Sequence, residues 1–339
     1  MKRGLAIGAG YFSQFHFDAW ARVEGAGIVA LCDSDPRCAH SMAQRFGIPA
    51  YGDDLAALIE REKPDFLDII TPPQTHAEIV RMAAERGIAV LCQKPLAPDF
   101  AQAQTIVAMA EQAGILFMAH DNFRFQPWHR EIRRQIDAGR IGALQAIHCR
   151  TRLGDGWGQD AYLSRQPYFR EMPRFLVHET GVHILDVFRF LGGEITRVMA
   201  RLDRLNPVIA GEDKALVLCD FANGATGLWD ADRYHPAEAD DPRYTFGAFR
   251  VEGSEGTLVL AEDGDLRAIS PQGQVEAVPY HHEKKGFAGD CVYHTLAHFT
   301  RALADRQPHE LTGADYLRTL ALVEAVYASH ETQSWRDAG

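Results

Sequence analysis

The chain has 339 residues, of which 46% are hydrophobic and 24% charged, with a formal net charge of −11. Such a composition suits a globular protein with core enough for two domains and excludes a disordered or fibrous one. So acidic a surface repels phosphate backbones and anionic lipid, so neither nucleic acid nor membrane is expected as a partner.

The six cysteines, Cys32, Cys38, Cys92, Cys149, Cys219 and Cys291, form no CxxC pair and no ladder of spacings. That suits single thiols in a reducing compartment, and the cytoplasm is the expected location. The apolar run after Lys2 and Arg3 is too short for a signal peptide, and no segment approaches the length of a membrane span.

In chain order, short apolar runs at Leu5–Ile7, Ile28–Cys32, Phe66–Ile70, Ala89–Cys92 and Ile115–Ala119 alternate with amphipathic stretches such as Asp54–Glu60, Ala77–Arg86 and Phe100–Gln112. Strand and helix in this rhythm predict βαβ units, hence a Rossmann-type doubly wound parallel sheet. Gly27, Gly87 and Gly114 are expected at the helix-to-strand turns.

Beyond about residue 123 the pattern changes. A helix over Pro127–Ala138 precedes segments of period-two alternation at Leu144–Arg152, Thr196–Arg204, Ala215–Phe221, Thr226–Ala231, Phe249–Val251 and Thr257–Leu260, with hairpin-like turns at Asn223-Gly224 and Glu262-Asp263-Gly264. These predict an α+β domain with a large, mostly antiparallel open sheet, one face covered by helices at His178–Leu191, Asp290–Leu303 and Ala314–Ser329. The expected domains are 1–122 and 123–339.

Three motifs carry chemistry. Gly8-Ala9-Gly10-Tyr11-Phe12-Ser13 follows the first strand and opens a helix, with Asp33 at the end of the second strand. Glycines at the first two positions permit a tight turn and a close approach to a pyrophosphate; Ser13 replaces the third. An acidic side chain at Asp33 accepts hydrogen bonds from ribose hydroxyls and repels a 2′-phosphate, which favours NAD over NADP. Arg37, beside Asp33 and Asp35, reads as a solvated helix start.

Gln93-Lys94-Pro95 closes a parallel strand and puts Lys94 in the crevice where open α/β sheets bind ligands, on the same rim as Thr71-Pro72-Pro73. In His178-Glu179-Thr180-Gly181-Val182-His183, the two histidines are five apart. On an α-helix that is a rotation of about 140°, so no zinc site, and no metal, is expected. Glu179 and His183 are four apart and share a face, as a carboxylate orienting a proton-transferring histidine requires. An interior histidine with its hydrogen bonds satisfied is the plainer alternative.

Together these residues resemble the glucose–fructose oxidoreductase, inositol dehydrogenase and rhizopine catabolism (Gfo/Idh/MocA) family. The matching residues are Gly8-Ala9-Gly10…His16, Thr71-Pro72…His76, Lys94-Pro95 and Asn122-Phe123-Arg124-Phe125…Pro127. Gly139-x-Ile141-Gly142-x-Leu144, Glu179-x3-His183 with Asp186, and Gly253-Ser-Glu-Gly256-Thr-Leu258 match as well. The resemblance implies an NAD-binding first domain, with Gly8, Gly10, Tyr11, Phe12, Asp33, Thr71, Pro72, His76, Gln93, Lys94 and Asn122 at the cofactor.

It further implies that Lys94 orients a reactive hydroxyl and that His183 takes its proton, with Glu179 binding substrate or positioning His183. Gln93 stands where the family usually has glutamate, removing a negative charge beside Lys94, and Glu179 where it usually has aspartate.

The expected substrate wall comprises Arg124, Arg152, Asp155, Trp157 and Tyr168, with Glu179 and His183. Trp157 is suited to stack on a sugar face and Asp155 to bind hydroxyl pairs, although an irregular glycine loop with a core tryptophan reads equally well. Within the family this set resembles members that oxidise the branched pentose D-apiose to a lactone. The expected activity is NAD-dependent oxidation of a sugar or polyol hydroxyl. Two alternatives stay open: a redox-neutral, NAD-retaining glycosidase or epimerase, and a non-catalytic sugar or NAD sensor. The open sheet face predicts a homodimer or homotetramer packed through the C-terminal sheet.

Overall fold

A computed structural model describes residues 1–305 and 308–338. The chain divides into two compact units, Met1–Asn122 with Asp290–Leu317, and Phe123–Gly289 with Arg318–Gly339.

In unit 1, strands β1 (Lys2–Ile7), β2 (Ala26–Cys32), β3 (Ala50–Gly52), β4 (Phe66–Ile69), β5 (Ala89–Gln93) and β6 (Phe117–His120) alternate with helices α1 (Ser13–Trp20), α2 (Pro36–Phe46), α3 (Leu55–Glu62), α4 (His76–Arg86) and α5 (Phe100–Gln112). Every strand pair is parallel, in the order β3-β2-β1-β4-β5-β6. The order reverses between β1 and β4, the crevice that open α/β sheets use for ligands.

Strands β4 and β6 are buried along their whole length, as strands covered on both faces must be, with Asp68 and His120 the polar members of otherwise apolar runs. Asp35, Asp54 and Asp99 cap α2, α3 and α5 by accepting backbone N–H bonds, and a left-handed Gly87 closes α4. Gly27 lies inside β2 instead, and Gly25, with φ of 84°, makes that turn. The short β3 escaped the sequence reading because it carries no long apolar run, and the helix begun at Arg37 runs Pro36–Phe46.

In unit 2, α6 (Pro127–Asp137) leads into β7 (Leu144–Arg152). An irregular stretch and α7 (Val182–Gly192) follow, then β8 (Ile195–Asp203), β9 (Lys214–Phe221), β10 (Thr226–Asp232), β11 (Ala248–Gly253), β12 (Gly256–Leu260), β13 (Leu266–Ile269), β14 (Val275–Ala277) and, near the C-terminus, β15 (Arg336–Asp337). The nine-stranded order is β14-β13-β12-β11-β7-β10-β9-β8-β15. It is antiparallel except where β10 lies parallel to β7, because the long excursion through α7 returns the chain on the far side of β7. Asn223-Gly224 turns β9 into β10, and Glu262-Asp263-Gly264 turns β12 into β13. Strands β13, β14 and β15 are short additions that alternation did not reveal.

Phe188 of α7 packs on Phe221 and Phe249, which fixes the inner face of this sheet. On the outer face, Met199 of β8 lies opposite Leu218 of β9, and both are exposed, as is Leu216.

The remaining helices divide between the units. Helix α8 (Cys291–Asp305) belongs to unit 1, where its Phe299 meets Phe66 of β4 edge to face at 5.3 Å. Its amphipathic pattern had suggested a place on the second sheet; periodicity shows that a helix has an apolar face but not which unit receives it. Helix α9 (Gly313–Thr332) begins in unit 1 and continues in unit 2, where Ser329 Oγ accepts the Ala200 N–H of β8 at 2.9 Å. No described helix is long and apolar enough to cross a membrane.

Candidate active site

On unit 1 the glycine turn between β1 and α1 is held by short backbone bonds. Gly8 takes φ of 108°, and a Cβ there would come within 3.0 Å of the Ile70 backbone, so only glycine fits. The Gly8 N–H donates to Cys32 O at 2.8 Å, tying the turn to the end of β2. A Cβ on Gly10 would meet nothing within 4 Å, which leaves open space over the start of α1. Ser13, where the motif has its third glycine, is fully buried and donates from Oγ to Gly10 O at 2.7 Å. The replacement thus braces the turn instead of weakening it.

Asp33 accepts the Ala9 N–H at 2.7 Å on one oxygen and the Asp35 N–H at 2.8 Å on the other. A carboxylate offers about four lone-pair sites, so it retains capacity for two hydroxyl donors. Arg37 pairs with Asp35 at 2.9 Å, which engages the cation best placed in sequence to meet a 2′-phosphate. Bare backbone over a helix N-terminus, with an anion at the end of β2, fits a dinucleotide without a 2′-phosphate. Tyr11 is exposed, and Phe12 occupies the cap position of α1.

Farther along the rim, Thr71 and Pro72 follow β4, and the Thr75 hydroxyl bridges Thr71 Oγ1 at 2.7 Å and Pro72 O at 2.9 Å. His76 lies behind the Thr71-Pro72 loop. Its ring is fully buried, with Nε2 2.9 Å from Thr71 O and Nδ1 3.0 Å from Leu96 O, so it braces the loop. Burial holds its pKa below the ordinary imidazole value, and the two carbonyls oppose that shift. Asn122 is likewise almost wholly buried. Gln93 ends β5, and its Oε1 accepts the Lys94 N–H at 2.8 Å.

On unit 2 the chain enters α7 through a π-helical segment, Val177–Gly181. Its wider i→i+5 turn means that the α-helical rotation between His178 and His183 does not apply; π segments inside helices recur at functional sites. A Cβ on Gly181 would come within 2.6 Å of the Trp229 ring, so the segment sits hard against β10. His183 is 7% exposed and stacks on Phe123 with centroids 4.1 Å apart and planes 10° from parallel. Among the described residues no three His, Cys, Asp or Glu side chains are grouped to hold a metal ion.

Three of the residues expected at the substrate are engaged in ion pairs. Arg124 forms a buried fork with Asp186, Nε to Oδ2 at 2.8 Å and a terminal nitrogen to Oδ1 at 2.6 Å. Arg152 meets Asp230 at 2.7 Å and Asp232 at 3.2 Å. Asp155 accepts a fork from Arg233, at 3.0 and 2.5 Å, and a further bond from Arg165 at 3.0 Å. A buried charge must find a partner, and each found one inside the protein. Trp157 and Tyr168, by contrast, are 64% and 56% exposed. Trp157 packs on Tyr234 with centroids 4.4 Å apart, and Tyr168 is close enough to Glu179 that burial and that carboxylate together push its phenol pKa up.

Arg233 is the residue that sequence reading missed. Its guanidinium is buried among the rings of Tyr162, Phe169 and Phe175, with centroids at 5.4, 5.0 and 5.0 Å. Besides Asp155 it reaches Glu179 Oε2 at 3.5 Å and Thr180 Oγ1 at 3.3 Å, and Thr180 itself donates to Glu179 at 3.0 Å. It therefore ties the glycine loop at 154–158 to the π-helical segment. Nothing in the sequence around Arg233 marks it, because its partners lie 54 and 78 residues away.

A parallel sheet in this order, with an open glycine turn and an acid at the end of β2, defines a dinucleotide-binding Rossmann oxidoreductase unit, here joined to an open-sheet α+β unit. Residues 2–120 match the oxidoreductase family with NAD-binding Rossmann fold, GFO/IDH/MocA, and residues 129–259 match the GFO/IDH/MocA C-terminal domain.

The chain belongs to that family. It is 36% identical to the D-apiose dehydrogenase of Paraburkholderia graminis, over 96% of this chain and 87% of that protein. It is 34% identical to the D-apiose dehydrogenase of Rhizobium rhizogenes, over 96% and 94%. An oxidoreductase from Agrobacterium radiobacter, crystallised with NAD+, L-tartaric acid and magnesium, superposes with a TM-score of 0.90 at 33% identity, covering 100% of this chain and 98% of that one.

Proposed function

We propose that this chain is an NAD-dependent dehydrogenase that oxidises a sugar hydroxyl, with D-apiose as substrate and its lactone as product. The observation that carries this reading is the likeness to two D-apiose dehydrogenases over 96% of the chain, both units included. Bound NAD supplies the hydride acceptor.

The protein's own groups hold the cofactor and manage the proton. Gly8, Gly10, Tyr11 and Phe12 line the pyrophosphate turn, and Asp33 receives the ribose hydroxyls. Thr71, Pro72, Gln93 and Asn122 shape the rim, with His76 as a brace. Lys94 orients the hydroxyl and stabilises negative charge developing on its oxygen. His183 takes the hydroxyl proton as the C–H electron pair departs, leaving a carbonyl. Stacking on Phe123 sets the plane of its ring. Glu179, held by Arg233 and Thr180, fixes the substrate or His183, while Trp157 and Tyr168 offer aromatic surface to a sugar face.

Exposed Met199, Leu216 and Leu218 on one sheet face support assembly as a homodimer or homotetramer through that face. Six free cysteines, five of them buried, suit a reducing cytoplasm.

The test is a panel of pentoses, hexoses and polyols with NAD, followed by absorbance of the reduced nicotinamide. D-apiose should give the highest kcat/KM, and His183→Ala should lower kcat about 10²–10⁴-fold while NAD still binds. Turnover of sugar with no net reduced nicotinamide would overturn the dehydrogenase reading.

A further inference from the structure

Behind Lys94 in unit 1 lies a chain of buried polar groups that the proposed chemistry does not use. Asp68 of β4 and His16 of α1 have no solvent exposure, and His16 Nδ1 is 2.9 Å from Asp68 Oδ2. Trp20 Nε1–H donates to the same oxygen at 2.7 Å. His16 Nε2, on the other side of the ring, is 3.4 Å from Gln93 Nε2.

The orientation of the Gln93 amide follows from its second contact. The Lys94 backbone N–H can only donate, so the amide atom 2.8 Å from it must be the carbonyl oxygen. The other end of the amide, facing His16, is therefore the NH2 group, also a donor. For the His16 contact to be a hydrogen bond, Nε2 must present its lone pair. The ring proton then sits on Nδ1 and points at the Asp68 carboxylate, which accepts it.

We propose that Gln93 is a positioning residue whose single amide holds the Lys94 backbone and selects the neutral, Nδ1–H tautomer of His16. A proton added at His16 Nε2 would face the amide NH2. Relief would require the amide to flip, and the flipped amide would set its NH2 against the Lys94 N–H. Protonated His16 and a correctly held Lys94 thus exclude one another.

The groups facing the His16 ring come from every neighbouring element. They are Asp68 on β4, Gln93 on β5, His120 on β6 with its ring centroid 4.3 Å away, Phe12 before α1, and Trp20 of α1, which shares the Asp68 carboxylate.

Gln93→Glu separates the two roles, because a carboxylate accepts both from the Lys94 N–H and from a protonated Nε2. Long-range ¹H–¹⁵N correlation spectra of the full-length protein at pH 7.5 report which nitrogen of His16 carries the proton. The expected result is a protonated Nδ1 with a lone pair on Nε2 in the natural protein, and both nitrogens protonated in Gln93→Glu. A protonated Nε2 in the natural protein overturns the proposal, whatever the enzyme proves to oxidise.

The kinetic arm rests on the role proposed above for Lys94. Gln93→Leu, which removes both amide contacts, should lower kcat about tenfold with the KM for NAD little changed, the size of one lost hydrogen bond at a reacting group. The expected tautomers with an unchanged kcat in Gln93→Leu would overturn the positioning role.

Discussion

The glycine rim of unit 1 and the charged wall of unit 2 are built on opposite plans. The rim offers mostly backbone: Gly8 and Gly10 leave space, Ser13 turns its hydroxyl inward onto Gly10 O, and Asp33 is held by two N–H groups while keeping lone pairs to spare. The wall is rich in charge, yet Arg124, Arg152 and Asp155 spend that charge on Asp186, on Asp230 and Asp232, and on Arg233 and Arg165. Backbone geometry is set by neighbours in sequence. A charged side chain is claimed by whichever partner the tertiary fold brings within reach, and burial makes that claim costly to break.

The largest expected effect strikes the wall. Arg124→Ala leaves Asp186 buried without its fork and should cost about 3–5 kcal/mol in denaturant unfolding. Near-native stability combined with a raised KM for sugar would return Arg124 to the substrate and dissolve the contrast.

Next comes His129 of α6, which is fully buried and bonded through Nδ1 to Phe123 O at 2.8 Å. Burial lowers its pKa from 6.5 to about 4. Because its folded value is depressed, the unfolded chain binds the extra proton first as pH falls. Stability is therefore full above pH 6.5 and drains away towards pH 4, by about 3 kcal/mol in all. His76, also depressed by burial, acts in the same direction. Thermal melts across this range should show the loss, and His129→Gln should flatten the slope.

A smaller effect tests the rim. Asp33→Ala should weaken NAD about tenfold and narrow its advantage over NADP, measured by fluorescence titration of the reduced cofactors, since hydrogen bonds to a charged acceptor contribute about 1.5–3 kcal/mol. An unchanged preference would mean that backbone alone discriminates. The smallest change belongs to exposed Trp157. Trp157→Ala should raise the sugar KM about threefold with kcat and stability unaltered, within the roughly 0.5–1.5 kcal/mol of an aromatic contact.

Much of the fold was legible in residues close together in sequence. Apolar runs such as Ala89–Cys92 announced parallel strands, alternation in Ala215–Phe221 announced a half-covered sheet, and Asn223-Gly224 announced its hairpin. The glycine turn with Asp33 was legible for the same reason, since two strands and one helix make a local unit. Strand β15 has only two residues and joins the sheet by pairing with β8, a partner well over a hundred residues earlier. No local pattern could announce it.

The sequence by itself determined the succession of a parallel α/β unit and an open-sheet unit, along with the glycine turn and Lys94 beside Pro95. These rest on short-range sterics and on periodicities of two and 3.6 residues. Only the tertiary structure decided that α8 serves the first unit, that Val177–Gly181 widens into a π turn, and that Arg233 binds Asp155 across 78 residues. Electrostatic and packing partners are chosen by distance in space, and sequence separation carries no record of that distance.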